Sequence, residues 1–153
     1  MVRLSDLSDF EAGHLLALPC TVNADSPWTA PPPLAEMRVA LVTTSGLSRR
    51  DDPTFRPGAA DYRVIPDEID SSELIMSHVS TNYDRSGFQQ DINVVFPIDR
   101  LHELARDGVI GSAASLHYSF MGATEPEQLE PKARELAGLL KEDGVNAVLL
   151  TPV

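Results

Sequence analysis

Met37-Arg-Val-Ala-Leu-Val-Thr-Thr-Ser-Gly46 decides the fold class. Residues 39–42 are continuously apolar, which leaves no polar side to face water, as in a parallel strand buried on both faces. The run ends in small polar residues and a glycine, and in open α/β sheets that carboxyl end is where ligands gather. Two later units repeat the theme. Pro97 opens a helix with Ile98, Leu101, Leu104 and Ala105 as its buried stripe, and Asp107-Gly108 closes it. A strand over 115–120 follows. Thr124-Glu-Pro-Glu127 is a capping-box signature with a proline in the first turn. Leu129, Ala133, Leu136, Ala137 and Leu140 then recur at three and four residues, Asp143-Gly144 ends that helix, and residues 145–150 read as another buried strand. Helices alternating with apolar strands predict parallel βαβ units with right-handed crossovers. The expected fold is α/β, a three-layer sandwich with a mainly parallel sheet of Rossmann-like or flavodoxin-like type over residues 37–153.

Upstream, residues 1–36 read as an appendage. A short N-terminal helix places Leu7, Phe10, His14 and Ala17 on one face, with Ser8 three residues before Glu11 as a capping box and Pro19 as its stop. A proline-rich arm follows, with Pro27, Pro31, Pro32 and Pro33. Residues 47–73 show turn signals and little periodicity, apart from a short strand at 62–65. Residues 74–79 suit a strand, or a short helix leading into one, and residues 92–96 form a second apolar run.

The chain has 153 residues with 23 acids against 12 bases, a formal charge of −11. Such a surface repels nucleic-acid phosphates and anionic lipid, so neither is an expected partner. No apolar run is long enough to span a membrane, and the N-terminus lacks the apolar core of a signal peptide. The one cysteine, Cys20, has no partner for an internal disulfide, and the expected address is cytoplasmic. No glycine-rich phosphate fingerprint is present.

Several polar residues stand where chemistry is possible. Thr43-Thr44-Ser45-Gly46 offers Thr44 and Ser45 as an anion cradle. His78 follows an apolar run and precedes Ser80, Thr81 and Asn82, so it reads as an acid or base, a ligand for a substrate carboxylate or amine, or a histidine bonded at a strand end. Tyr83 and Asp84 follow at turn spacing. Asp84 either caps backbone amides or orients a cationic amine. His117 alternates with Leu116 and Tyr118, as a half-buried core histidine or a substrate contact. No close His/Cys pair supports a metal site, and none is expected.

Taken in order, His78-x-x-x-Asn-Tyr83-Asp84, Asp91-x-Asn93-x-Val95-x-Pro97-x-Asp99-x-Leu101, Gly108-Val-Ile-Gly111 and Lys141-Glu-Asp-Gly144-Val-Asn-Ala-Val-Leu-Leu-Thr151 resemble the glycine/sarcosine/betaine/D-proline reductase selenoprotein B family. The strand 39–46 resembles that family's first strand and turn. The segment His78-Val-Ser-Thr-Asn-Tyr-Asp-Arg-Ser-Gly-Phe-Gln-Gln90 matches its smaller members and lacks the paired glycines of the larger ones. The resemblance implies reductive cleavage of an amine or amino-acid C–N bond with a dithiol/disulfide couple. It implies a small amine or amino-acid substrate, a thiol reductant or partner reductase subunit, and a pyruvoyl group on that partner. It sets His78 and Asp84 as catalytic candidates and Thr44, Ser45, Asn82, Tyr83 and His117 as substrate-binding ones. In the family a selenocysteine or cysteine follows the Leu-Thr strand, here directly after Val153. The chain itself then carries no cofactor, is inactive alone as a product ended at an in-frame UGA, and self-associates through the strand it leaves uncovered. Two other readings share these residues: a non-catalytic ligand-binding or interaction module, and a hydrolase or metal enzyme using His78 and His117.

Overall fold

The structure is a computed structural model that describes residues 3–18, 27–80 and 83–153. The chain divides into two units, Met1–Ala30 and Pro31–Val153. In the first, a 3-10 turn at Leu4–Asp6 precedes helix α1 (Asp9–Ala17). The capping box forms as its spacing predicts: Glu11 N donates to Ser8 Oγ at 3.3 Å, and Ser8 N donates to the Glu11 carboxylate at 3.1 Å. Cys20 lies outside the described residues.

The second unit is built around β1 (Arg38–Thr43). Along the chain follow β2 (Leu47–Arg49), β3 (Arg63–Pro66), β4 (Leu74–Met76), α2 (Ser86–Gln90), α3 (Ile98–Arg106), β5 (Ser112–Ala113), β6 (Leu116–Ser119), α4 (Pro126–Glu142) and β7 (Ala147–Thr151). Strand β7 runs parallel to β1 in register from Val39↔Ala147 to Thr43↔Thr151. Strands β5 and β6 share the opposite edge of β1, also parallel, pairing Val39↔Ala113 and Val42↔Tyr118. The register advances by two residues between those pairs, so 114–115 form a bulge in one interrupted strand. Strand β3 closes the far side, antiparallel to β6, and β2 and β4 make a separate antiparallel ribbon.

Alternate residues of β1 enter two cores. Val39 and Leu41 pack with Phe96, Ile98, Leu101 and Ile110, while Ala40 packs with Tyr118, Leu136 and Leu140. Burial on both faces explains the unbroken apolar run. Arg38 locks the start of this arrangement. Its guanidinium donates to the carbonyls of Asp143 and Ala113, both at 2.9 Å, and pairs with the Asp143 carboxylate at 3.1 Å. One side chain thus joins the end of α4 to the bulge.

The α/β class is as expected. The main sheet is mixed and not mainly parallel throughout, because β3 pairs antiparallel to β6; β3 and β4 fall in the runs read as strands at 62–65 and 74–79, while β2 lies unmarked in the turn-rich stretch 47–73. The apolar run at 92–96 opens as a 3-10 turn at Ile92–Val94, with the Asp91 carboxylate accepting from Asn93 N at 2.9 Å. Two local expectations change. Thr124 does not cap α4; its hydroxyl donates to Ala59 O at 2.8 Å, a tertiary bond that displaces the local one. Leu104 is exposed, so the buried stripe of α3 is Ile98 and Leu101. Among the described residues no helix is long and apolar enough to cross a membrane.

Candidate active site

The carboxyl ends of β1 and β7 draw four segments together. Past β1 the chain turns sharply at Gly46, whose φ of +69° is a backbone state that glycine adopts without strain. A Cβ at Gly46 would stand 3.0 Å from both Cα and N of His78, so the missing side chain lets the His78 segment lie against this turn. Ser77 N donates to Gly46 O at 2.9 Å and fixes that approach. Thr44 ties in the rest: its amide donates to Thr151 O at 3.2 Å, its hydroxyl accepts from Val153 N at 2.8 Å, and its carbonyl accepts from Gly122 N at 2.8 Å.

These contacts frame a cavity of about 240 Å³ lined by His78, Ser80, Tyr83, Gly122, Ala123 and Val153. That is room for a small metabolite. His78 is buried, and its Nδ1 accepts from Ser80 N at 3.2 Å. A ring that accepts at Nδ1 carries its proton on Nε2 when neutral. Among the described residues, Nε2 and the Tyr83 hydroxyl, both buried, have no hydrogen-bond partner. The two rings lie 4.9 Å apart. Arg85 donates to the carbonyls of His78 and Ser80, with its guanidinium 5.9 Å from the Tyr83 ring centre. Burial, then the Arg85 charge, pushes the His78 pKa down. Burial raises that of Tyr83. Both groups are therefore neutral at neutral pH.

The other candidates fall elsewhere. Ser45 turns inward, accepting from the Thr43 hydroxyl at 2.9 Å, and is fully buried. Asp84 does not line the cavity; its Oδ1 accepts from Ser86 N at 2.9 Å and Ser86 Oγ at 2.7 Å, the turn that starts α2. His117 is also remote from the lining. Leu41 lies between the two stretches of β1 paired to β5 and β6, and its amide donates to His117 Nδ1 at 3.0 Å. The ring then donates from Nε2 to Asp67 Oδ1 at 2.8 Å. Asn82 lies outside the described residues. Among the described residues, no group of three or more His, Cys, Asp or Glu side chains is placed to hold a metal.

Sequence reading passed over Gly122 and Arg85. Gly122 had a faint signal, a small pair Gly122-Ala123 directly after a strand. Arg85 had none, because its task is to hold two carbonyls of the preceding turn.

Comparison with known proteins finds one matching family and several curated relatives. A family model, Glycine/sarcosine/betaine reductase selenoprotein B, matches residues 14–153. The chain is 39% identical over 121 residues to D-proline reductase subunit gamma of Acetoanaerobium sticklandii, covering 77% of this chain and 49% of that protein. It is 30% identical over 123 residues to sarcosine reductase complex component B subunit beta of Peptoclostridium acidaminophilum, covering 77% and 28%. It is 29% identical over 123 residues to glycine reductase complex component B subunit gamma of Symbiobacterium thermophilum, covering 77% and 29%. The chain spans about half the length of the first of these and under a third of the other two. No solved structure matches it significantly.

Proposed function

Because the chain belongs to the glycine/sarcosine/betaine reductase selenoprotein B family, we propose that it forms the substrate pocket of a multi-component reductase acting on the C–N bond of a small amine or amino acid. In balance, the C–N bond gains two electrons and two protons, giving a C–H and an N–H bond, while a dithiol becomes a disulfide. The observation that carries this reading is the cavity at the carboxyl ends of β1 and β7. It lies beside Val153, where the resemblance sets the family's selenocysteine or cysteine, and it is lined by His78 and Tyr83 with no acidic residue among its lining. That residue would supply the nucleophile, and a pyruvoyl group on a partner subunit would activate the amine. Within this chain His78 and Tyr83 bind and orient the substrate. His78, with its pKa held down, acts as a donor and not as a base. Asp84 acts only through the turn that starts α2. We further propose a cytoplasmic setting, where dithiols stay reduced.

The test reads the gene past the Val153 codon and assays the product of the full reading frame with its co-purifying subunits. Given dithiothreitol, that preparation is expected to release ammonia or an amine from glycine, sarcosine or betaine, or to open the ring of D-proline. Dithiol oxidation coupled to none of these substrates would overturn the reading; binding without turnover would assign a ligand-binding module.

We also propose that the chain pairs with a second copy through β7. Among the described residues this strand pairs with β1 alone, and Val148, Leu149 and Leu150 are exposed. The segment Ala147–Thr151 carries no charge or proline to guard that edge. Two such edges related by a twofold axis pair antiparallel. Light scattering is expected to show a concentration-dependent dimer that Leu150→Lys reduces to a monomer. A strictly monomeric parent chain at high concentration would rule this contact out.

A further inference from the structure

We propose that Thr44 is a positioning residue of the site: its hydroxyl stands in for a strand acceptor, turns the chain off the β1–β7 ladder at Val153, and so fixes where the next residue of the full reading frame stands at the cavity. The inference rests on the reading above, which sets the reactive selenocysteine or cysteine at that next position. It gives Thr44 a task other than the anion cradle expected from the sequence.

Three observations carry it. First, a side chain interrupts the ladder between β1 and β7. In a parallel pair, a residue whose amide donates to one residue of the neighbouring strand accepts at its carbonyl from the residue two places further on. Thr44 N donates to Thr151 O at 3.2 Å, so a continued ladder would bring Val153 N to Thr44 O. Val153 N instead donates to Thr44 Oγ1 at 2.8 Å. The same hydroxyl donates to Val153 O over a longer 3.4 Å, so one side chain meets both backbone polar groups of Val153. Second, the carbonyl released from that ladder serves the exit of β6. Thr44 O accepts from Gly122 N at 2.8 Å, extending a run in which Phe120 N donates to Thr43 O and Gly46 N to Phe120 O, each at 2.9 Å. A Cβ at Gly122 would lie 2.8 Å from Thr44 O and 2.7 Å from Val153 O, so the exits of β6 and β7 close on Thr44 together. With its amide, hydroxyl and carbonyl all engaged, one residue ties three strand ends. Third, Thr44 is not among the residues that line the cavity, whereas Gly122 and Val153, the two it holds, are. It acts on the cavity through them. Displacing a reacting group by about 1 Å costs about a hundredfold in rate, so a bond that fixes the chain at this point has a large effect on turnover.

Two variants test it. Thr44→Val keeps the branched shape and removes the hydroxyl, and Thr44→Ser keeps the hydroxyl. The first readout is hydrogen exchange at the Val153 amide in the product of the full reading frame, with the amides of Leu149 and Thr151 in β7 as internal references. Thr44→Val is expected to speed exchange at Val153 about tenfold, the loss of one hydrogen bond, and to leave the references unchanged. Thr44→Ser is expected to behave like the parent. The second readout is steady-state turnover of that product with its co-purifying subunits. Thr44→Val is expected to lower kcat about a hundredfold with KM within about twofold, and Thr44→Ser to restore most of the loss. Three results would each overturn the proposal: unchanged exchange at Val153 in Thr44→Val, a loss of kcat that Thr44→Ser does not restore, or a raised KM with kcat kept, which would make Thr44 a substrate contact. Failure of the wider reading looks different. If the parent reduces none of the substrates while exchange at Val153 responds as stated, the positioning stands and the reductase assignment falls. If the parent turns over substrate and Thr44→Val matches it, the reverse holds.

Discussion

Replacing His117 by alanine lowers the stability of the folded chain by about 3–5 kcal/mol, the sum of a buried donor left without an acceptor and a cavity left where an imidazole was. The side chain is fully buried and packs edge-on against Phe96 at 5.7 Å. Its Nδ1 is the acceptor for Leu41 N, an amide that the bulge at 114–115 takes out of the β1 ladder. Its Nε2 shares Asp67 Oδ1 with His102, each at 2.8 Å. His117→Asn separates these roles. The asparagine Oδ1 stands at the same point along the side chain as Nδ1 and keeps the bond to Leu41, while the reach to Asp67 is lost. Its stability is expected to fall between those of the parent and the alanine variant.

The same residue makes stability depend on pH. Burial pulls the His117 pKa below its ordinary 6.5, with the hydrogen bond to Asp67 opposing only part of the shift. As pH falls through 6.5 the unfolded chain takes up a proton that the folded chain refuses. The contribution is therefore complete above that value and declines below it. Burial alone would raise the Asp67 carboxyl, but the hydrogen bonds from His117 and His102 outweigh it and hold the group below 3.8. Its own contribution is lost as pH falls from there. Urea unfolding at a series of pH values is expected to show a decline from pH 6.5 that is shallower in His117→Asn, with His78 supplying the remaining slope. A loss under about 1 kcal/mol in the alanine variant would show that Leu41 N finds another acceptor.

What could be read from the sequence follows from how each element is stabilised. Strand β1 and helices α3 and α4 carry their burial in the local apolar pattern, so the one-dimensional sequence holds the information; β7 shows the same apolar run and forms the expected strand, but Val148, Leu149 and Leu150 are exposed where a buried strand is expected. Strands β2, β3 and β4 are three or four residues long and owe their pairing to distant partners, as in Val64↔Tyr118 and Leu47↔Met76. The apolar runs at 62–65 and 74–79 still mark β3 and β4 as strands, while β2 shows no local signal and no local pattern marks the partner of any of the three. Thr124 failed as a cap for a related reason: the hydroxyl had a better partner 65 residues away, at Ala59. The site divides in the same way. His78 and Tyr83 were visible because they sit five residues apart among polar neighbours. Ser45 looked identical to Thr44 in the sequence, yet the turn buries one hydroxyl against Thr43 and gives the other to Val153. Gly122 joins the site from 44 residues downstream of His78, which no local signal records.

Gly122→Ala is expected to abolish the pocket while leaving the fold standing. A Cβ at that position would lie 2.7 Å from Val153 O, 2.8 Å from Thr44 O and 3.0 Å from Thr44 Oγ1. Two of these atoms are backbone, so no rotamer change relieves the clash. Either the bond from Gly122 N to Thr44 O breaks or residues 152–153 leave the wall. The second outcome removes Val153 from the lining of the cavity, and with it the shape that holds a ligand against His78 and Tyr83. The β1–β7 ladder keeps its five registered pairs either way, so the stability cost is that of local overpacking, about 1–3 kcal/mol. Glycine affinity is expected to fall at least tenfold. A readout free of any ligand accompanies it: the Val153 amide, bonded to Thr44 Oγ1 at 2.8 Å, loses its protection from hydrogen exchange. Gly138→Ala is the control. That glycine sits in α4 with nothing within 4 Å of an added Cβ, and alanine there is expected to stabilise the chain by about 0.5–1 kcal/mol with the pocket intact. If Gly122→Ala bound glycine like the parent and kept Val153 protected, the approach of Thr44, Gly122 and Val153 would not be what shapes the site.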